Sequence, residues 1–148
     1  MSTPYLLDTN VLVYAYDGAD RTKHLRALDV LGHLGGAGRA SIPAQALAEL
    51  SSVALRKLRP PLEPAHVYRI VEEIEAAFSI VPLTPAVVLE ALRGVRDHAM
   101  SYYDAQIWAA AKLAQIPVVL SEDFATGSMV EGVTFLDPFA SDLDVLGL

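Results

Sequence analysis

The sequence predicts an α/β protein in which a short, mainly parallel β-sheet is buried between helices. Short apolar segments alternate along the chain with longer segments that carry helix-capping signals. The apolar segments, such as "SIVP" at 79–82 and "PVVL" at 117–120, are rich in Val, Ile and Leu and do not alternate with polar residues. Such runs are typical of parallel strands that are covered on both faces.

The length and composition suit a single domain. A chain of 148 residues is the size of one ordinary domain, and 53% hydrophobic residues are ample for one core. The sequence contains no internal repeat, no low-complexity tract and no linker long enough to divide it. We therefore expect residues 1–148 to form one domain.

The predicted helices begin at residues that favour a helix start. Asp20 and Thr84 are good N-caps, Asn10 can cap a brief first helix, and Ser101 begins the last one. Pro43 suits the first position of a helix. These signals predict helices over 10–16, 21–35, 43–58, 64–78, 85–98 and 101–115.

The predicted strands lie before, between and after these helices. Gly-rich and Pro-rich breaks, "GGAG" at 35–38 and "RPPLEP" at 59–64, end two of the helices. The apolar segments predict strands over 4–8, 39–42, 79–82, 117–120 and 133–137.

Composition excludes several classes of function. The chain has no cysteine, which excludes disulfides, thiolate metal sites and cysteine nucleophiles. No apolar run approaches the roughly 20 residues that span a bilayer, and no signal peptide is recognisable, so we expect a cytoplasmic protein. The net charge of −7 argues against a broad basic surface for nucleic acid, but a divalent metal can supply local positive charge.

Acidic side chains directly follow two of the predicted strands. Asp8 ends the first strand, and Glu122 and Asp123 come just after the strand at 117–120. Ligands of open α/β sheets bind at the carboxyl ends of the strands, so these acids are well placed for a site. Each also has a simpler interpretation, as a helix cap or a turn residue. Asp137 ends the last strand, but a proline and an acidic tail follow it, and we rank it lower.

Two further acids lie on predicted helices. Glu49, in "AQALAELSSVALRKL", shares the polar side of an amphipathic helix with Gln45, and the helix alone favours a solvated face. Asp104 lies in "SYYDAQIWAAAKLAQ", which is apolar nearly all round and predicts a helix packed on the sheet. A carboxylate buried there needs a hydrogen bond, a charged partner or a metal. Its spacing from Ser101 also fits a capping box, and both interpretations stay open.

Carboxylates gathered at one edge of the sheet would suit a hard cation rather than zinc. Mg²⁺ takes oxygen ligands and keeps several waters. The chain offers no cysteine, and its four histidines are scattered without a shared ligand spacing.

Four segments, in this order, are "YLLDTNVLVYA", "PAQALAELSSVA", "SYYDAQIWAAA" and "VVLSEDF". Together they resemble the acidic signature of the PIN-domain ribonucleases, and most closely the toxin subunits of VapBC-type toxin–antitoxin pairs. The resemblance covers nearly the whole chain, and the alternation of strands and helices agrees with it. It implies a three-layer α/β/α sandwich and an endoribonuclease that depends on Mg²⁺ or Mn²⁺.

Residue by residue, the resemblance implies an acidic quartet. The quartet is Asp8, Glu49, Asp104 and Asp123. Asp8, Asp104 and Asp123 would hold one or two metal ions, and Glu49 would complete the site or bind a water. Glu122 leaves the fourth acid open by one residue.

The resemblance also implies partners. These are an RNA substrate, a second copy of the chain in a homodimer, and an antitoxin whose basic segment enters the acidic cleft. The high hydrophobic fraction of so short a chain agrees with apolar surface that another subunit covers. The basic residues Arg56, Lys57 and Arg59 would either guide the RNA backbone or form a solvated helix end.

Two rival interpretations remain. A haloacid-dehalogenase-like phosphatase also begins with an apolar strand that ends in Asp, but that family expects a second Asp where Asn10 stands. A non-catalytic interaction module would use the acids only as caps and turns.

Overall fold

A single twisted sheet forms the middle layer of the protein. The computed structural model describes residues 4–36 and 38–140. In chain order the strands are β1 Tyr5–Leu7, β2 Ala40–Pro43, β3 Ser79–Val81, β4 Val118–Leu120, β5 Met129–Val130 and β6 Val133–Leu136. Their order in the sheet is β3-β2-β1-β4-β6-β5. All neighbouring pairs are parallel except β5 and β6, which are antiparallel.

Helices cover both faces of this sheet. They are α1 Thr9–Tyr16, α2 Arg21–Gly35, α3 Ala44–Arg56, α4 Pro64–Ala77, α5 Pro85–His98 and α6 Tyr102–Leu113. Leu6 and Val119 pack against α5 and α6, whereas Leu7 and Leu120 pack against α1 to α4. Neighbouring strand residues are thus buried on opposite faces, which explains why the strands lack polar alternation. The predicted three-layer α/β/α sandwich with a mainly parallel sheet is confirmed.

Most predicted elements are present, and the differences are local. The first helix begins at Thr9 rather than Asn10, because the Asp8 carboxylate accepts the Thr9 N–H at 2.7 Å and takes the N-cap position. Pro43 ends β2 with an extended backbone and precedes α3 instead of opening it. The short strand β5 was not predicted. None of the helices in the described part of the chain combines the length and hydrophobicity needed to cross a bilayer.

The topology brings three helix starts to one edge of the sheet. Helices α1 and α3 follow β1 and β2 directly, so both begin at the carboxyl ends of those strands. Helix α6 leads into β4 and therefore also begins at that edge. Asp8, the first turns of α3 and Asp104 consequently face the segment that follows β4.

Candidate active site

Asp8 is a buried carboxylate at the centre of the carboxyl edge, with only 5% of its surface exposed. Its Oδ1 accepts the Thr9 N–H, and its Oδ2 accepts the Ser121 hydroxyl at 2.8 Å. Its own N–H donates to the Leu120 carbonyl at 3.1 Å, which ties the end of β1 to the end of β4. Asp8 is therefore both the cap of α1 and one wall of a site.

The loop after β4 is fastened to Asp8 through Ser121 and to the start of α1 through Asn10. The Ser121 Oγ accepts the Asp123 N–H at 3.0 Å while its hydroxyl donates to Asp8. The Asn10 amide donates to Asp123 Oδ2 at 3.1 Å and to Ser121 Oγ at 3.3 Å. These contacts bring the Asp123 carboxylate to the same edge as Asp8.

Glu122 is held on the other side of that loop. Its Oε1 accepts the Tyr14 hydroxyl and its Oε2 accepts the Lys23 ammonium, both at 2.8 Å. Of the two candidates for the fourth acid, Asp123 is the one that shares Ser121 with Asp8 and whose carboxylate accepts the Asn10 amide.

Glu49 does not lie on a solvated face, so the expectation from the helix pattern alone is wrong. Its Oε2 accepts the Thr9 hydroxyl at 2.7 Å, and its Oε1 accepts the Gln45 amide at 2.8 Å. Gln45 is itself 9% exposed and accepts a hydrogen bond from the Gln106 amide on α6. Helix α3 packs against α1 and meets α6 through the Gln45–Gln106 hydrogen bond, and these tertiary contacts turn this polar side inward.

Asp104 lies half-buried in the first turn of α6. Ser101 is the N-cap residue of this helix, but its side chain makes no capping hydrogen bond, so the serine half of the proposed capping box is not formed. The predicted packing of the helix on the sheet is confirmed, because every residue from Ala105 to Ala111 is buried.

The four acids influence one another electrostatically. Burial raises the pKa of Asp8 to about 6, against the hydrogen bonds from Ser121 and Thr9, and the charges of Asp123 and Glu49 add to the rise. Burial also raises the pKa of Asp123, against the hydrogen bond from Asn10, with further contributions from Asp104, Glu122 and Glu49. Each acid of the predicted quartet therefore interacts electrostatically with at least one other acid of the quartet.

Buried polar side chains concentrate at this site. In the part of the chain that the structure describes, the buried polar or charged side chains are Asp8, Thr9, Ser41, Gln45, Gln106 and Ser121. Five of these six take part in the hydrogen bonds around Asp8 and Glu49. Burying polar groups costs free energy unless they are hydrogen-bonded, so their convergence at one edge marks a built site.

The donor set fits a hard divalent cation. The side chains around the acids offer oxygen, which suits Mg²⁺ or Mn²⁺ better than zinc. Among residues 4–36 and 38–140, no three His, Asp or Glu side chains stand close enough together to hold an ion. Their oxygens accept hydrogen bonds from Ser121, Asn10 and Thr9 instead. Binding a cation would therefore require the carboxylates to draw together.

Comparison with known proteins places this arrangement in a family. The family model of the PIN domain matches residues 5–125, which include all four acids. The chain belongs to the PIN domain family. A search of the curated proteins finds no significant match.

Solved structures share the PIN fold over most of their length. A toxin–antitoxin complex from Klebsiella pneumoniae is 16% identical, with a TM-score of 0.66 over 90% of this chain and 97% of that one. VapC20 of Mycobacterium tuberculosis, a toxin that cleaves the sarcin–ricin loop, is 17% identical, with a TM-score of 0.64 over 86% and 97%. The DNA-bound VapBC of Salmonella typhimurium is 17% identical, with a TM-score of 0.64 over 90% and 97%.

Three polar residues of this PIN domain escaped the sequence-based prediction as parts of the site. Thr9 reads as an ordinary helix start, and Gln45 and Gln106 as residues of helix faces. The available signal was weak: Gln106 is a polar residue within the otherwise apolar run of α6. Its position opposite Gln45 depends on how α3 and α6 pack.

Proposed function

We propose that this PIN domain is an endoribonuclease that hydrolyses RNA phosphodiester bonds with Mg²⁺ or Mn²⁺, and that it is the toxin of a toxin–antitoxin pair. The observation that carries the proposal is the convergence of four acids at the carboxyl edge of the sheet, supported by four further buried polar side chains, Thr9, Gln45, Gln106 and Ser121. The acids are Asp8, Glu49, Asp104 and Asp123. VapC20, whose solved structure shares this fold, is a toxin that cleaves the sarcin–ricin loop, and this supports the choice of substrate class.

Each residue of the site has a separate role in this proposal. Asp8, Asp104 and Asp123 would hold the metal, which supplies an activated water and stabilises charge on the phosphate oxygens. Ser121 keeps Asp8 and the Asp123 backbone in register through its single hydroxyl. Glu49, fixed through both of its oxygens, would orient a water at the site.

The test is cleavage of RNA by the purified chain. Bacterial ribosomal RNA and tRNA are incubated with Mn²⁺, with Mg²⁺ or with EDTA, and the products are separated on a denaturing gel. We expect cleavage with either metal and none with EDTA. Asp8→Asn should abolish it, whereas Asp137→Asn should not, because the Asp137 carboxylate accepts the Phe139 N–H in a turn beyond β6.

Cleavage that persists in EDTA or in Asp8→Asn would contradict the proposal, because it would not come from the acidic site. A chain that cleaves neither RNA under any of these conditions would instead favour a non-catalytic PIN-like interaction module.

We also propose a homodimer. Helix α5 exposes an apolar stripe at helical spacing, with Leu89 exposed by 67%, Leu92 by 50% and Val95 by 36%. Such a stripe is a candidate for burial against a second copy of the chain. Light scattering that shows only monomer at tens of micromolar would overturn this part of the proposal.

The antitoxin partner would carry a basic segment. One solved structure with the same fold is a toxin–antitoxin complex and another is a DNA-bound VapBC. The acidic edge of this chain offers carboxylates that Arg or Lys side chains can pair with. Such a segment would compete with the metal. Co-purification of the chain with the product of a neighbouring reading frame, with loss of RNA cleavage in the complex, is the result we expect.

A further inference from the structure

We infer that Gln45 and Gln106 are positioning residues for Glu49, an assignment that rests on the proposed nuclease function. Together with Thr9 they form a hydrogen-bonded chain that runs from α6 through α3 to the start of α1. The chain ends on both oxygens of the Glu49 carboxylate.

The direction of every bond in this chain is fixed by chemistry. An ionised carboxylate only accepts hydrogen bonds, so Gln45 must present its NH₂ group to Glu49 Oε1, at 2.8 Å. The Gln45 oxygen then faces α6 and needs a donor, which the Gln106 NH₂ group supplies. On the other side the Thr9 hydroxyl donates to Glu49 Oε2 at 2.7 Å. Neither amide can be rotated by half a turn without losing a bond.

Burying these two amides costs free energy unless both are hydrogen-bonded. Gln106 is 5% exposed and Gln45 is 9% exposed, and the neighbours of Gln106 on α6 are buried apolar residues. Methionine, which has nearly the same length and flexibility, would pack in the same space without any polar group to satisfy. Packing alone does not require two amides here, so we assign their function to Glu49, the residue at the end of the hydrogen-bonded chain.

The consequence is a carboxylate held in one orientation. Each Glu49 oxygen uses one lone pair on a protein donor, which leaves the other available to a water at the metal site. Groups that orient carboxylates near a metal typically affect metal affinity or activity by about 10–100-fold when they are removed.

The experiment compares Gln45→Met, Gln106→Met and the double variant with the wild-type chain. Either single variant leaves one buried amide without its partner and should melt earlier. The double variant removes both amides, so neither is left buried without its partner, and it should recover most of that loss. What it still lacks is the Gln45 donor to Glu49 Oε1, which is the contact under test. Ser51→Ala is the control on α3, since the Ser51 hydroxyl donates to the Leu47 carbonyl and not to Glu49.

Three measurements are made on each protein: the thermal midpoint, the Mn²⁺ dissociation constant by calorimetry, and the single-turnover cleavage rate of an RNA at its mapped cut site. We expect the double variant to fold stably, yet to lose about 10-fold or more in Mn²⁺ affinity and in cleavage rate. Ser51→Ala should match the wild type in both. If the double variant does not fold, Gln106→Met decides, and a loss in Mn²⁺ affinity is expected there as well.

The failures of the two proposals are distinguishable. A double variant, or Gln106→Met in its place, that binds Mn²⁺ and cleaves RNA like the wild type would show that the amides serve packing alone. That result would overturn the positioning role and leave the nuclease intact. A wild-type chain that neither binds Mn²⁺ nor cleaves RNA would overturn the proposed function, and the positioning role with it.

Discussion

Asp8 combines two requirements that pull its protonation in opposite directions. As the cap of α1 it accepts the Thr9 N–H, which favours the charged carboxylate. As a buried group near Glu49 and Asp123 it is penalised when charged. The second effect is larger, and the pKa of Asp8 rises to about 6. A helix cap on the protein surface would stay hydrated, and burial would not raise its pKa.

These opposing effects on Asp8 should make the stability of the metal-free protein depend on pH. The pKa of Asp8 is about 6 in the folded state and near its ordinary 3.8 in the unfolded state, so the folded state binds the proton more tightly. The free energy of unfolding therefore falls by about 3 kcal/mol for this group as the pH rises from about 4 to about 6, and it then levels off.

The variant Asp8→Asn has an amide in place of this carboxyl group and does not titrate. In EDTA it should be more stable than the wild type at pH 7.5, and the difference should vanish near pH 4. Chemical denaturation at a series of pH values measures the gap. A gap that is independent of pH would mean that Asp8 is not desolvated in the folded state.

Asp104→Asn separates a metal ligand from a helix-start residue. If Asp104 only stabilised the start of α6, asparagine would cost about 0.5–1 kcal/mol and cleavage would survive. We expect the opposite: an unchanged or higher melting temperature in EDTA, because one acid near Asp123 is neutralised, and a loss of cleavage by orders of magnitude.

Ser101→Ala is the companion variant at the same helix start. The Ser101 side chain makes no capping hydrogen bond, so its removal should leave stability and cleavage nearly unchanged. An Asp104→Asn protein that melts early in EDTA but cleaves RNA at nearly the wild-type rate would show that Asp104 is not a ligand.

At the scale of elements, α5 and α6 pack closely because α5 has a glycine at the contact. A Cβ added at Gly94 would lie 2.8 Å from Cζ3 of Trp108, whose ring is fully buried and cannot withdraw. Gly94→Ala should therefore destabilise the protein by about 1–3 kcal/mol through overpacking, although alanine favours a helix by about 1 kcal/mol.

Gly32→Ala on α2 is the matched control. No atom lies within 4 Å of a Cβ added at Gly32, so only the helix-propensity gain remains and stability should rise. Urea denaturation of both variants checks the pair. If Gly94→Ala were as stable as Gly32→Ala, the close contact between α5 and Trp108 would not be a real constraint.

Element boundaries were predictable where the signals are local. Asp20 and Thr84 cap α2 and α5 as expected, and each accepts a backbone N–H three residues on. The strand β5 was missed because it is two residues long and turns at Glu131 and Gly132, whose positive φ angles of 48° and 85° close a hairpin with β6. The Glu131 side chain is held there by Arg93 and Lys112, far away in sequence.

At the scale of the whole molecule, the sequence could predict which acids meet but not what holds them. Parallel strands end at one edge, so Asp8 and Asp123 were expected together before any side chain was placed. The inward turn of Glu49 and the Gln45–Gln106 pair depend on where α3 and α6 meet across the carboxyl edge of the sheet, which no local pattern encodes. The least predictable part of the site is thus the part formed between helices.

The metal prediction also belongs to this scale, because a bound ion would draw together Asp8 after β1, Asp104 on α6 and Asp123 after β4. Clustered carboxylates repel one another, and an ion that binds only the folded state stabilises it by mass action, by about 2.7 kcal/mol at a concentration 100 times the dissociation constant. We expect the thermal midpoint at pH 7.5 to be higher in millimolar Mn²⁺ than in EDTA.

The same increment should respond to pH and to mutation in a defined way. Because Asp8 must lose its proton to bind a cation and its pKa is about 6, the Mn²⁺ increment should shrink as the pH falls from 7.5 to 5. Asp8→Asn should lose the increment at every pH, whereas Asp137→Asn should keep it, since Asp137 lies in a turn outside the quartet. An increment that is equal in all three proteins would place the ion elsewhere on the acidic surface, and identical midpoints with Mn²⁺ and EDTA would remove the shared metal site altogether.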